Sequence, residues 1–149
     1  MTLACDAPAE PTGREQLEAL MRAPRRPGIV ETLDFNLVEV GDGRAVFEGE
    51  PSLAVYNPIG TVHGGYAATL LDSACGCAAQ SKLSATQAYT TLELKVAYHR
   101  PMTEATGTVR AEGKVVTMGR RAAFVEATLK GLDGRLYASA TSTLLVFER

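Results

Sequence analysis

Hydrophobic and polar positions change period several times along this chain, and each change marks an element. Residues 1–12 are rich in Ala, Pro and Thr and have no periodicity, which predicts a loose tail. In residues 13–22, Leu17, Leu20 and Met21 recur at i, i+3 and i+4, predicting a short amphipathic helix that Pro24 and Pro27 stop. Residues 35–40 and 44–50 flank Gly41-Asp42-Gly43 and read as a hairpin with its turn. From Tyr66 to Ser81 the pattern changes: Ala67, Ala68, Leu70, Leu71, Ala74, Cys75, Ala78 and Ala79 cover every side of a helix. An all-round apolar helix is a buried one, and its small side chains let another layer approach its backbone.

Everything downstream reads as strand. Residues 90–98 alternate, with Leu92, Leu94, Val96 and Tyr98 on one face and Thr91, Glu93, Lys95 and Ala97 on the other, until Pro101 stops the run. Strands follow at 106–116, 120–130 and 136–147, the last entered through Asp133-Gly134, a strong hairpin signal. A hairpin, one long buried helix and then four strands imply an α+β, largely antiparallel fold. Residues 1–27 form a tail and short helix ahead of one domain at 28–149.

Composition narrows the function classes. The 149 residues carry 15 Lys and Arg against 17 Asp and Glu. A net charge of −2 gives no basic face for nucleic acid. No apolar run approaches the roughly 18 residues of a membrane span. The first eight residues have neither a basic nor an apolar leader segment, which predicts a cytoplasmic protein. Three cysteines without framework spacing argue against a disulfide scaffold. Cys75 and Cys77 point about 200° apart on a helix and cannot share a metal there, so no metal site is expected.

Two features carry candidate chemistry. Asp72 interrupts the apolar helix, where a carboxylate costs several kcal/mol unless it is paired or hydrogen-bonded. It is either structural or a base or nucleophile in a dry cleft. His63-Gly64-Gly65 opens the same helix and bares backbone N–H groups at its positive end, a seat for a polarised carbonyl. The plainer alternative is a tight turn with a histidine satisfied by backbone. Eight residues separate Gly64 from Asp72, about 12 Å along a helix, so one carbonyl cannot meet both within one chain. If both act on it, they come from two chains.

Asn57-Pro58-Ile-Gly-Thr-Val-His63-Gly64-Gly65, followed by Asp72, resembles the hotdog-fold acyl-CoA thioesterases of the PaaI-like type. The resemblance runs from about Gly28 to Phe147. It takes in residues 90–101, Gly119-Arg120-Arg121 with the strand to Glu126, and residues 137–143. It implies a five- or six-stranded antiparallel sheet wrapped around the helix, in dimers or dimers of dimers with the site at the dimer interface. It implies that Gly64 N–H binds the thioester carbonyl, that Asn57 helps hold that carbonyl or the water, and that the partner chain's Asp72 is base or nucleophile. His63 belongs to the same catalytic motif, and Thr91, with Thr90 beside it, matches a hydroxyl that positions water. Gly65, Arg100, Gly119, Arg120 and Arg121 are candidates for binding coenzyme A, with Lys82 a weaker one. CoA would arrive as part of the substrate, with no other cofactor. The chain matches an Asp/Asn subgroup, and position 76 is Gly where one aryl-CoA branch has a hydroxyl, so acyl preference does not carry over. Two rivals stand beside this reading. A hotdog hydratase or dehydratase would need a His–carboxylate pair, and a non-catalytic acyl-CoA sensor would have no use for Asp72.

Overall fold

The computed structural model describes residues 9–149; the first eight residues of the tail expected at 1–12 lie outside them. Helix α1 (Gly13–Arg22) begins at a capping box, with Glu15 N–H donating to Thr12 Oγ1 and Thr12 N–H donating to Glu15 Oε2 at 2.8 Å. A five-residue helix α2 (Gly28–Thr32), too short to show a period, precedes the first strand. The hairpin follows as β1 (Phe35–Gly41) and β2 (Arg44–Gly49). Its turn needs glycine at Gly43, where φ is +69°. Then come α3 (Gly64–Gln80), β3 (Gln87–Tyr98), β4 (Val109–Met118), β5 (Ala122–Gly131) and β6 (Leu136–Glu148).

The six strands form one antiparallel sheet in the order β1-β2-β4-β5-β6-β3. The sheet wraps α3, as the hotdog resemblance implies. Leu70, Leu71, Ala74, Cys75, Ala78 and Ala79 on α3 are fully buried against Phe35, Val109, Leu129 and Leu144 of the sheet. The outward face is charged: Arg44 reaches Glu39 at 2.7 Å and Glu112 at 2.8 Å, and Arg110 pairs with Glu39 and Glu48. No helix among the described residues is long and apolar enough to cross a membrane.

One correction concerns β3. Strict alternation puts Thr91 on the face of Glu93 and Lys95, but the register slips between Thr91 and Glu93, with Leu92 as the extra residue. Thr91 pairs with buried Leu144 and faces the helix, whereas Glu93 pairs with outward Thr143. Leu92 is left 59% exposed instead of joining Leu94 and Val96. β3 is also a sheet edge, a twelve-residue strand with one side unpaired.

The backbones of α3 and β4 approach closely in the core. A Cβ on Gly113 would lie 2.3 Å from the carbonyl oxygen of Ala74. Gly113→Ala should therefore destabilise the fold by about 1–3 kcal/mol through overpacking, read as a fall in Tm by thermal denaturation. An unchanged Tm would contradict so tight a helix–sheet contact.

Candidate active site

The loop leading into α3 is built by Asn57. Its Oδ1 accepts from the N–H groups of Ile59 and Thr61, both at 3.1 Å, and its Nδ2 donates to Thr61 Oγ1 at 2.9 Å. This closed loop delivers His63, whose N–H donates to Val55 O at 2.8 Å. His63 then caps α3: its Nδ1 accepts from Gly65 N–H at 2.8 Å. An accepting Nδ1 carries no proton, so the imidazole is in the Nε2–H tautomer. Gly65 N–H is thereby occupied, and Gly64 N–H has no partner among the described residues. At the first turn of α3, the free donor is Gly64.

Asp72 lies two turns on and is half-buried. Thr91 Oγ1 donates to Asp72 Oδ1 at 3.2 Å, a contact that exists because the Leu92 bulge turns Thr91 inward. Thr90, on the opposite face, makes no such contact. Asp72 has no cation partner among the described residues. Burial first, and the Asp72 charge second, push the thiols of Cys75 and Cys77 up to about 12, so neither is a thiolate near neutral pH.

One neighbour of this site carries no sequence signal. Tyr89, on the inward face of β3, lies across Gly76, where a Cβ would come 2.5 Å from Tyr89 Oη. The Tyr89 ring thus fills the space a side chain at position 76 would take. Burial raises the Tyr89 hydroxyl's pKa, with the charges of Cys77 and Asp72 adding to it, so it remains a protonated donor.

The basic candidates separate into two groups. Arg100 follows the C-terminal end of β3 and lines a cavity of about 330 Å³ beside Gly64, with His63, Tyr98, Met102 and Tyr137. Gly119, Arg120 and Arg121 form the exposed β4–β5 turn at the other end of β3; Gly119 N–H closes that turn onto Ala122 O at 2.9 Å, and Arg121 O accepts from Val146 N–H. Within one chain these groups are nine residues of β6 apart, since Arg100 N–H reaches Tyr137 O and Val146 N–H reaches Arg121 O, or roughly 30 Å. Lys82 is engaged by Asp42 at 3.1 Å. A larger cleft of about 540 Å³ on the outward sheet face holds none of the candidate residues.

The chain and its wrapped antiparallel sheet are similar to known proteins. The family model described as Thioesterase superfamily matches residues 59–138, which include Gly64, Asp72 and Thr91. The chain belongs to the thioesterase superfamily. A protein of Saccharolobus solfataricus with a provisional esterase name is 33% identical over 112 residues, covering 75% of this chain and 78% of its own. The crystal structure of a thioesterase family protein from Silicibacter pomeroyi is 29% identical, with a TM-score of 0.77 over 89% of this chain and 95% of that one. A mutant of the phenylacetic acid degradation protein PaaI from Thermus thermophilus is 28% identical, with a TM-score of 0.72 over 78% and 96%. The superfamily member described here is thus a PaaI-like hotdog protein and a thioesterase-type hydrolase.

The His63 cap has a direct consequence. His63→Ala should lower stability by about 0.5–2 kcal/mol in thermal or urea denaturation, while His63→Asp, which keeps an acceptor for the α3 N–H groups, should recover most of it. Equal loss in both variants would show that the ring contributes something other than the cap.

Proposed function

We propose that this thioesterase hydrolyses acyl-CoA thioesters to a carboxylic acid and free CoA, at sites shared between two copies of the chain. The observation that carries the reading is the presence on α3 of an unpartnered Gly64 N–H and of Asp72, whose only partner among the described residues is the Thr91 hydroxyl, with about 12 Å of helix between them. A second observation agrees with it. Gly64 touches the C-terminal end of β3 through Tyr98, and Asp72 touches the N-terminal end through Thr91. If the unpaired edge of β3 joins its own copy antiparallel, the Thr91 end of one strand meets the Tyr98 end of the other.

In this mechanism the thioester carbonyl accepts from Gly64 N–H of one protomer, which stabilises the oxyanion as charge develops. Asn57 has one Nδ2 hydrogen beyond its bond to Thr61, available for the carbonyl or the attacking water. Asp72 of the other protomer takes the proton from the water that attacks the carbonyl, or attacks the carbonyl itself to form a mixed anhydride that water then hydrolyses; either way the CoA thiolate leaves and the acid is released. Thr91 holds one carboxylate oxygen and leaves the other for this work. His63 acts through its cap on the helix start, and this occupied imidazole does not support a His–carboxylate hydratase pair. The same antiparallel pairing brings Arg100 of one chain toward Arg120 and Arg121 of the other, where guanidinium forks suit CoA phosphates.

Asp72→Asn preserves shape and hydrogen bonding but neither takes a proton nor attacks. In a thiol-release assay across an acyl-CoA panel, its kcat should fall by about 10²–10⁴ with the fold intact. Its Tm should hold or rise, since an unpaired charge leaves an apolar helix. Normal turnover with early melting would make Asp72 structural and remove the reading. The arginines should behave differently. Alanine at Arg120 and Arg121 together should raise KM and leave kcat nearly unchanged, because remote binding is uniform in ground and transition states. An unchanged KM in the double variant would exclude that turn from CoA binding.

A further inference from the structure

The start of α3 poses a mechanical problem. Gly64-Gly65 is the most flexible dipeptide a chain offers, yet an oxyanion donor works only when it is held at about 2.7–3.1 Å from the developing charge. The peptide plane joining these two glycines is held at both ends. Its N–H, from Gly65, donates to His63 Nδ1 at 2.8 Å. Its C=O, from Gly64, accepts from Tyr98 Oη at 2.8 Å. The Tyr98 ring also lies against Gly64, where a Cβ would come within 2.9 Å of both Cζ and Oη. A side chain at position 64 would therefore displace the ring, and the hydroxyl holds the carbonyl.

We infer that Tyr98 is a positioning residue for the hydrolysis: its hydroxyl holds the Gly64–Gly65 peptide plane, which meets at Gly64 Cα the His63–Gly64 plane whose N–H is the donor and whose C=O accepts from Tyr66 N–H at 3.0 Å, so that Gly64 N–H stays aimed at the substrate carbonyl. This rests on the thioesterase reading above. The lock has two halves with different origins. His63 is local, one residue before the helix. Tyr98 comes from the far end of β3, 34 residues away in sequence. Because Tyr98 stands on the unpaired edge strand and is 57% exposed in the single chain, pairing of that edge with a second copy would order the tyrosine and the oxyanion donor together. An isolated chain would thus lack the partner's carboxylate and also hold its own donor less firmly.

Tyr98→Phe tests the lock, since it keeps the ring on Gly64 and removes only the hydroxyl. With an acyl-CoA that the wild type hydrolyses, kcat should fall about tenfold, less than for loss of a whole oxyanion donor, while KM stays within about twofold. Tm should move by no more than a few degrees, as expected for one exposed hydrogen bond. The accompanying readout is amide hydrogen exchange by NMR: Gly65 N–H, protected in the wild type, should exchange faster in Tyr98→Phe. Lower kcat with constant KM and faster Gly65 exchange supports the lock. An unchanged kcat, or a fall in kcat with Gly65 exchange unaltered, overturns it. So does a rise in KM that accounts for the whole loss, which would make Tyr98 a substrate contact. If the wild type releases thiol from no acyl-CoA, the hydrolase reading is what fails, and the exchange rate of Gly65 alone then decides whether Tyr98 holds the peptide plane.

Discussion

The backbone of α3 lies against the backbone of β4, and the architecture follows from that approach. Gly113 leaves no room for a side chain over Ala74 O, and the buried positions along α3 are mostly Ala, Gly and Cys. A helix this thin lets a six-stranded sheet curl around it with no second layer behind it. Gly64, Asp72 and Gly76 lie beneath β3. Tyr98, Thr91 and Tyr89 descend from that strand onto the three positions in turn, so strand and helix are matched residue for residue.

The same geometry sets a division of labour. A rigid helix keeps two groups apart as surely as it keeps them aligned, and about 12 Å is too far for one carbonyl. The site as proposed is completed by β3, the longer of the two edge strands among the described residues, which is also the strand that supports both groups. Catalysis and assembly then share one element. The stability cost of the site is concentrated there as well: a carboxylate without a cation, a glycine inside a helix, and a long bare edge.

Periodicity carried the broad fold because apolar positions dominate α3 and the strands after it alternate cleanly, although the helix is not apolar all round: Thr69, Asp72, Ser73 and Gln80 share one less buried side. The strand and helix limits differ from the expected ones by a few residues. Length, not pattern, hid α2, since five residues span barely more than a turn. The Leu92 bulge was invisible for a sharper reason. Thr91-Leu92-Glu93-Leu94 goes on alternating through the extra residue, so nothing in the order of side chains reports that the pleat has slipped. Asp72 and Gly64 stood out as local anomalies, a charge in an apolar run and paired glycines at a helix start. Their supports did not. Tyr98 and Tyr89 are ordinary aromatic residues of a strand, and their meaning depends on which helix position the sheet curvature brings beneath them. Asn57 was legible as a motif member, while its role in closing the loop onto Thr61 required the backbone path.

The central claim is that one active site takes its carboxylate from one chain and its oxyanion donor from another. The most direct measurement uses a purified heterodimer, isolated through two different affinity tags, of Asp72→Ala chains with Asn57→Ala chains. Neither homodimer should turn over acyl-CoA appreciably. In the heterodimer one site combines the intact Asp72 of one chain with the intact Asn57–Gly64 loop of the other, while the second site carries both lesions. The account predicts thiol release at about half the wild-type rate per dimer. A heterodimer no more active than its parents would contradict it and return the whole site to a single chain.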